Sequence, residues 1–109
     1  MKKTINPFIP LTDYEYMDNF SMGYHSKTGS IKVKSIKIGY PIADWLNDKT
    51  KIFSIENREY TIGELMRKIS EIVTNEIEKG NNFAPHVVDD YCIEKITIID
   101  GVALVDIGS

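Results

Sequence analysis

The sequence predicts a small α+β domain in which about five mostly antiparallel strands carry one long helix across them. Three observations predict this class: a helical stripe of apolar residues over about 62–79, a hairpin signal at Asp100 and Gly101, and apolar residues alternating with lysines from residue 31. The first has the 3.6-residue period of a helix, and the strand-like segments have a period of two. The length of 109 residues is that of one domain.

The long helix is the strongest element of the sequence. Its apolar residues recur at spacings of three and four and form one stripe: Ile62, Leu65, Met66, Ile69, Ile72, Val73 and Ile77. Thr61 and Glu64 match the capping box that begins a helix, and Gly80 stands where a C-terminal cap is needed. We therefore predict a helix over about 62–79 that packs this stripe on the sheet.

The C-terminal residues predict a β-hairpin. Asp100 followed by Gly101 favours a two-residue turn with positive φ at both positions. Such a turn fixes the register and sets Lys95 opposite Asp106. It also gathers an apolar face from both strands: Ile96, Ile98, Ala103, Val105 and Ile107.

The stretch "GSIKVKSIKIGY", residues 29–40, alternates like a strand and then slips by one residue. Ser35 stands where the next apolar residue is due, and the apolar positions resume at Ile36. A β-bulge at Ser35 and Ile36 restores one inward apolar face, because two residues then oppose one on the neighbouring strand. A strand that crosses between sheet faces at a corner is the alternative.

Three lysines of this strand, Lys32, Lys34 and Lys37, point outward in the bulged arrangement. Outward lysines commonly guard an edge strand against pairing with another chain, and we favour this interpretation. The alternative is an anion-binding stripe, in which three phosphate contacts would give only weak, non-specific binding. No specific nucleic-acid binding is expected, because only two of the thirteen basic residues are arginines.

Two segments between the strand and the long helix are also predicted. Residues 41–48, "PIADWLND", fit a helix of one or two turns with Pro41 at its first position. The following "KIFSIENREY", residues 51–60, is interpreted as two short strands around a turn at Glu56 and Asn57, because asparagine tolerates positive φ.

Residues 1–24 are predicted to form an extended arm and a short helix beside the domain proper, which spans 25–109. Pro7 and Pro10 stiffen the arm, and Thr12 is expected to cap a helix over about 13–21. Exposed aromatic and apolar side chains favour contact with another chain, and the predicted partner-binding residues are Phe8, Ile9, Tyr16, Phe20 and Tyr24. Tyr16, Phe20 and Tyr24, which lie four residues apart, could instead pack as one stripe on the chain's own sheet.

The stretch "PHVVDDYC", residues 85–92, is the one place where His, Asp and Cys cluster. On a helix, His86, Asp89 and Asp90 would share a face at a spacing that can hold a metal, but no second histidine is near, so no metal site is expected. Cys92 is interpreted as a core residue. No phosphate loop, nucleophile elbow or zinc-protease motif is present, and we expect no enzyme and no cofactor.

The leading functional hypothesis is a non-enzymatic protein-interaction module, such as a subunit of a larger assembly or a small inhibitor, whose partner is another protein or copies of itself. Seventeen isoleucines against three alanines suggest a phage or mobile-element origin. The alternative is a small-ligand or nucleotide-binding domain that uses the 86–91 loop and the lysines. A single cysteine and the lack of a long apolar run predict a cytoplasmic protein without a membrane span.

Overall fold

The computed structural model of the chain describes residues 2–19, 30–40, 42, 50–80 and 88–108. Phe20, Tyr24 and His86, and all of the predicted 41–48 helix except Ile42, lie outside these residues. The described elements are β1 (Lys2–Ile5), β2 (Ile9–Pro10), α1 (Tyr14–Asn19), β3 (Ile31–Ile38), β4 (Lys51–Tyr60), α2 (Ile62–Glu78), β5 (Cys92–Ile99) and β6 (Val102–Gly108). The predicted α+β class is therefore confirmed.

The strands form one six-stranded sheet in the order β1-β5-β6-β3-β4, and β2 pairs with β5 beyond the end of β1. All described pairings are antiparallel except that of β3 with β6, which is parallel. The core contains buried side chains from both helices and from one face of the sheet. The helices lie on this face of the sheet, and α2 lies close to the edge strand β4.

The long helix agrees with its predicted bounds to within one residue. The N–H of Glu64 donates to the Thr61 hydroxyl at 3.1 Å, and the Thr61 N–H donates to the Glu64 carboxylate at 2.9 Å. This reciprocal pair is the predicted capping box. Gly80 follows the helix with φ +83°, a value that glycine adopts without steric cost.

The C-terminal hairpin is also confirmed. Asp100 and Gly101 have φ values of +51° and +79°, as a two-residue turn of the predicted type requires. Lys95 lies opposite Asp106 in the ladder between β5 and β6. One irregularity, between Ile93 and Lys95, was not predicted.

The slip in β3 is a bulge, one residue earlier than predicted. The N–H groups of Lys34 and Ser35 both donate to the carbonyl of Gly101, at 2.8 Å and 3.4 Å. Two residues facing one carbonyl define a bulge, and Val33 and Ile36 are consequently both buried. The edge-guarding explanation of the lysines is wrong for the second half of β3, which pairs with β4 on one side and β6 on the other.

The predicted hairpin in residues 51–60 is wrong, because β4 is one continuous ten-residue strand. Its ladder with β3 shifts so that residues 55–57 of β4 lie opposite Lys34 alone. A bulged segment therefore takes up Glu56 and Asn57, which we had assigned to a turn. The Tyr60 hydroxyl stabilises this segment by donating to the Glu56 carbonyl at 2.6 Å.

The N-terminal segment does not stand beside the domain: over residues 2–19 it belongs to the same sheet and core. Leu11 and Met17 are fully buried, and the buried Ser70 hydroxyl donates to the Leu11 carbonyl at 2.8 Å. The cap of α1 is Asp13 and not Thr12, because the Asp13 carboxylate accepts the Tyr16 N–H at 3.1 Å. The predicted helix begins one residue later than expected.

Candidate functional site

Strand β4 forms one edge of the sheet, and within the described ranges β3 is the only strand that pairs with it. An edge strand presents a row of unpaired N–H and C=O groups to its surroundings. Ile52, near the start of β4, is 63% exposed, which is unusual for a large aliphatic side chain. Among the described residues, the edge therefore combines main-chain groups that no other strand pairs with and an exposed apolar side chain.

A groove of about 640 Å³ runs between β4 and α2. Its residues come from five consecutive positions of β4 and from one face of the helix: Ile52, Phe53, Ser54, Ile55, Glu56, Lys68, Glu71, Ile72 and Asn75. Phe53, Ile55 and Ile72 are partly buried and pack against the core, so they form an apolar floor. The polar side chains from the helix form a rim, an arrangement typical of a binding surface.

Ion pairs join β4 and α2 near each end of this groove. At one end, the Lys51 ammonium lies 2.7 Å from the carboxylate of Glu76, which is only 5% exposed. At the other, the Arg58 guanidinium lies 3.4 Å from Glu64. These two ion pairs connect the strand to the helix at both ends of the groove.

The two halves of β4 differ. In the second half, the Arg58 guanidinium stacks over the Tyr60 ring at 3.9 Å and pairs with Glu56, next to the bulged segment. Charges and bulges both discourage pairing at a sheet edge. The first half, residues 51–54, is in regular register with β3. Its only charged side chain, Lys51, is engaged with Glu76. Among the described residues, residues 51–54 are thus the open part of the edge.

Glu64, at one end of the groove, has a clear pKa shift. The Thr61 N–H that donates to it is the main cause that lowers the pKa below its usual range, and the Thr61 side chain and Arg58 act in the same direction. Partial burial of the carboxylate raises its pKa and opposes this lowering only in part. The shift reflects helix capping and gives no indication of acid–base catalysis.

The predicted partner-binding residues have different surroundings. Phe8 is 67% exposed and has φ +48°, an uncommon value for an aromatic residue, and Tyr16 is 53% exposed. Ile9 is 2% exposed and pairs with Ile93 in the ladder of β2 and β5. Since Ile9 belongs to the chain's own core, it is not available to a partner in this structure.

The predicted anion-binding lysines are divided between two parts of β3. Lys32 and Lys34 are exposed at its beginning, close to the turn of the C-terminal hairpin, whereas Lys37 is half-buried between β4 and β6. Lys32 lines a second groove, of about 500 Å³. The three lysines therefore differ in exposure, and their binding of an anion stays a prediction.

The described part of the 86–91 loop carries no catalytic arrangement. Asp89 and Asp90 lie in a short 3₁₀ turn, Val88–Asp90, and both are exposed. Burial raises the pKa of the Cys92 thiol, and the carboxylate of Glu94 adds to this effect. A thiol with a raised pKa is a poor nucleophile. Among the described side chains, no group of three or more His, Cys, Asp or Glu could hold a metal ion.

The chain matches no protein-family model, no curated protein and no solved structure. None of the helices in the described ranges is long and apolar enough to cross a membrane.

Sequence reasoning missed the groove beside β4 because it placed a turn inside that strand. The stripe residue Ile72 was assigned to the helix face that packs on the sheet, and the structure places it at the margin of that face, in the groove. One signal was available: Ile52 and Phe53 are adjacent apolar residues, and adjacent residues of a strand point to opposite faces. Two neighbouring apolar residues therefore predict an apolar side chain on each face of β4.

Proposed function

We propose that this protein is a non-enzymatic protein-interaction domain that accepts an extended segment of another protein as an additional strand on β4. The observation that carries the proposal is that, among the described residues, β4 pairs with β3 alone and its other edge lies directly beside a groove with an apolar floor. Extended segments bind exposed sheet edges through main-chain hydrogen bonds, and pockets for alternate side chains provide the specificity. Residues 51–54 would supply the main-chain hydrogen bonds, and the groove beside them would supply the side-chain pockets.

The surroundings of β4 indicate which segment would bind. Alternate side chains of an added strand point to opposite faces of the sheet. Those on the helix side would enter the groove over Phe53, Ile55 and Ile72, and those on the other side would pack beside Ile52. Lys68 and Glu71 on the rim lie 3.9 Å apart and offset each other's charge. The groove therefore suits an extended segment with apolar residues at alternate positions and little net charge.

The same proposal covers the broader roles predicted from the sequence. A subunit of a larger assembly and a small inhibitor protein both act by binding another polypeptide. A cytoplasmic location is consistent with Cys92 being a free thiol. A phage or mobile-element origin rests on composition alone and adds nothing to the mechanism.

The experiment is a selection of peptides from a random displayed library, followed by affinity measurements on the purified protein. Ile52→Lys should weaken binding of the selected peptides at least tenfold, roughly 1.4 kcal/mol, because a charge replaces the apolar contact on β4. Phe8→Lys is the matched control, since Phe8 is similarly exposed but lies beside the opposite edge. Amide exchange of residues 51–54 should slow when peptide is bound.

The same two variants also provide the outcome that would contradict the proposal. Loss of binding in Phe8→Lys with full binding in Ile52→Lys would identify the N-terminal aromatic surface as the interface. Sedimentation of the free protein adds a further outcome. Self-association that disappears only in Ile52→Lys would mean that the added strand comes from a second copy of this chain and not from a different protein.

A further inference from the structure

A second groove, of about 500 Å³, lies at the far end of the sheet, where β3 extends beyond the hairpin turn. Its lining residues come from the beginnings of β1 and β3, the end of β5 and the turn: Lys3, Ser30, Ile31, Lys32, Ile98, Asp100 and Gly101. The groove exists because the first residues of β3 pair with β4 but have no strand on their other side among the described residues.

The main chain of β3 directs a hydrogen-bond donor into this gap. The N–H of Lys34 donates toward the hairpin, to the carbonyl of Gly101. N–H groups two residues apart along a strand point to the same side, so the N–H of Lys32 also points toward the hairpin side. No described strand residue pairs with it there. The groove therefore contains a main-chain donor next to two lysine side chains.

The charges around the groove are predominantly positive. Lys3 and Lys32 line it, and Lys34 extends its methylene groups along Gly101 at the rim. In the described part of the chain, none of these three lysines forms an ion pair, because the ion pairs there involve Lys51, Arg58, Arg67 and Lys68. Asp100 supplies the one carboxylate among the lining residues.

We propose that this groove binds a small molecule through a phosphate group. The ammonium groups of Lys3 and Lys32 and the N–H of Lys32 would hold the phosphate oxygens, since charge-assisted donors of this kind bind phosphate strongly. Ile31 and Ile98 would contact an apolar portion of the same ligand. The proposal is independent of the strand-addition site, because the two grooves have no lining residue in common.

The test uses inorganic phosphate and phenyl phosphate as probes, followed by calorimetry and by amide chemical shifts of Lys32 and Gly101. We expect saturable binding that is tighter for phenyl phosphate. Lys3→Gln and Lys32→Gln should each weaken it about fivefold, the effect of one charge at contact distance in water. Asp100→Asn should tighten it by a similar factor and keep the turn, because Asn-Gly favours the same turn type.

Lys95→Gln is the matched control, since Lys95 lies on β5 but does not line the groove. Melting temperatures verify that every variant is folded. The proposal is overturned if neither probe saturates at about 10 mM. It is also overturned if Lys95→Gln weakens binding as much as Lys32→Gln, because the interaction would then be diffuse. If a single-stranded oligonucleotide binds tightly and phenyl phosphate does not, the ligand of this groove is a nucleic acid and not a small molecule.

Discussion

The two edges of this sheet are built differently. The edge formed by β1 and β2 consists of strands of four and two residues, interrupted at residues 6–8 and containing Pro10, which has no N–H to offer. The edge formed by β4 is a continuous strand of ten residues without proline. Short strands, prolines and lysines are the usual means of preventing edge-to-edge pairing. The first edge has all three, and the first half of β4 has almost none.

The difference indicates what each edge does. Residues 2–19 complete the chain's own core, with Ile9 and Leu11 almost fully buried. On the opposite side, Ile52 is exposed, and ion pairs connect β4 to α2 at both ends of the groove beside it. One edge is closed by the chain itself, and the other has an open surface next to a helix. This contrast is the reason for placing partner binding at β4.

The largest expected effect is a difference in stability between matched substitutions on the two edges. Ile9→Ala should lower the free energy of unfolding by about 3 kcal/mol, because a fully buried aliphatic side chain leaves a cavity. Ile52→Ala should change it by less than about 0.5 kcal/mol, because the side chain is mostly in solvent. Urea denaturation of both variants measures the two values.

Equal losses in the two variants would contradict the comparison. Similar large losses would mean that Ile52 is buried in solution by a second copy or by another part of the chain. Similar small losses would mean that β2 is not docked on β5. In that case the N-terminal segment would be free to contact a partner, as the sequence analysis had predicted.

The next largest effect concerns how the N-terminal segment is held. A Cβ at Gly63 would clash with the main-chain carbonyl of Met17, so α1 approaches α2 at a position that only glycine allows. Gly63→Ala should cost about 2 kcal/mol, because a main-chain carbonyl cannot move aside as a side chain can. Asn75→Ala, at an exposed position of the same helix, is the control. A gain in stability would show that helix propensity outweighs the contact.

Much of the fold could be predicted from the sequence, because α2 and the C-terminal hairpin depend on local signals. The capping box joins Thr61 to Glu64, and the turn consists of Asp100 and Gly101, so each signal involves residues that are close in the sequence. The closed edge could not be predicted, because pairing of β2 with β5 joins residues more than eighty positions apart. The groove beside β4 depended on whether Glu56 and Asn57 form a turn or a bulge. Contacts that Tyr60 and Arg58 make with Glu56 within the strand favour the bulge, and the residue pattern itself does not reveal them.

A smaller effect distinguishes the caps of the two helices. Thr61→Ala should cost about 1 kcal/mol, because it leaves the N–H of Glu64 without its acceptor at the start of the helix beside the open edge. For the helix beside the closed edge, Asp13→Ala should have a similar cost and Thr12→Ala almost none. Thermal melting of the three variants measures these differences. A loss in Thr12→Ala as large as that in Asp13→Ala would contradict the assignment of the α1 cap.

The smallest effect is the pH dependence of the junction between β4 and α2. The hydrogen bond from the Thr61 N–H, with help from Arg58, lowers the pKa of Glu64 in the folded protein. Its stabilising contribution is therefore complete above the unfolded-state pKa of about 4.3 and is lost as the pH falls through the lower folded-state pKa. Glu64→Gln should reduce the melting temperature at pH 7 and reduce it less at a pH below about 4.3, where the stabilising contribution of the wild-type carboxylate declines. Glu59→Gln, at an exposed position of β4, is the control. A deficit of Glu64→Gln that is the same at both pH values would mean that the carboxylate charge contributes nothing to the cap, and that the end of the groove is held by packing of Arg58 on Tyr60 alone.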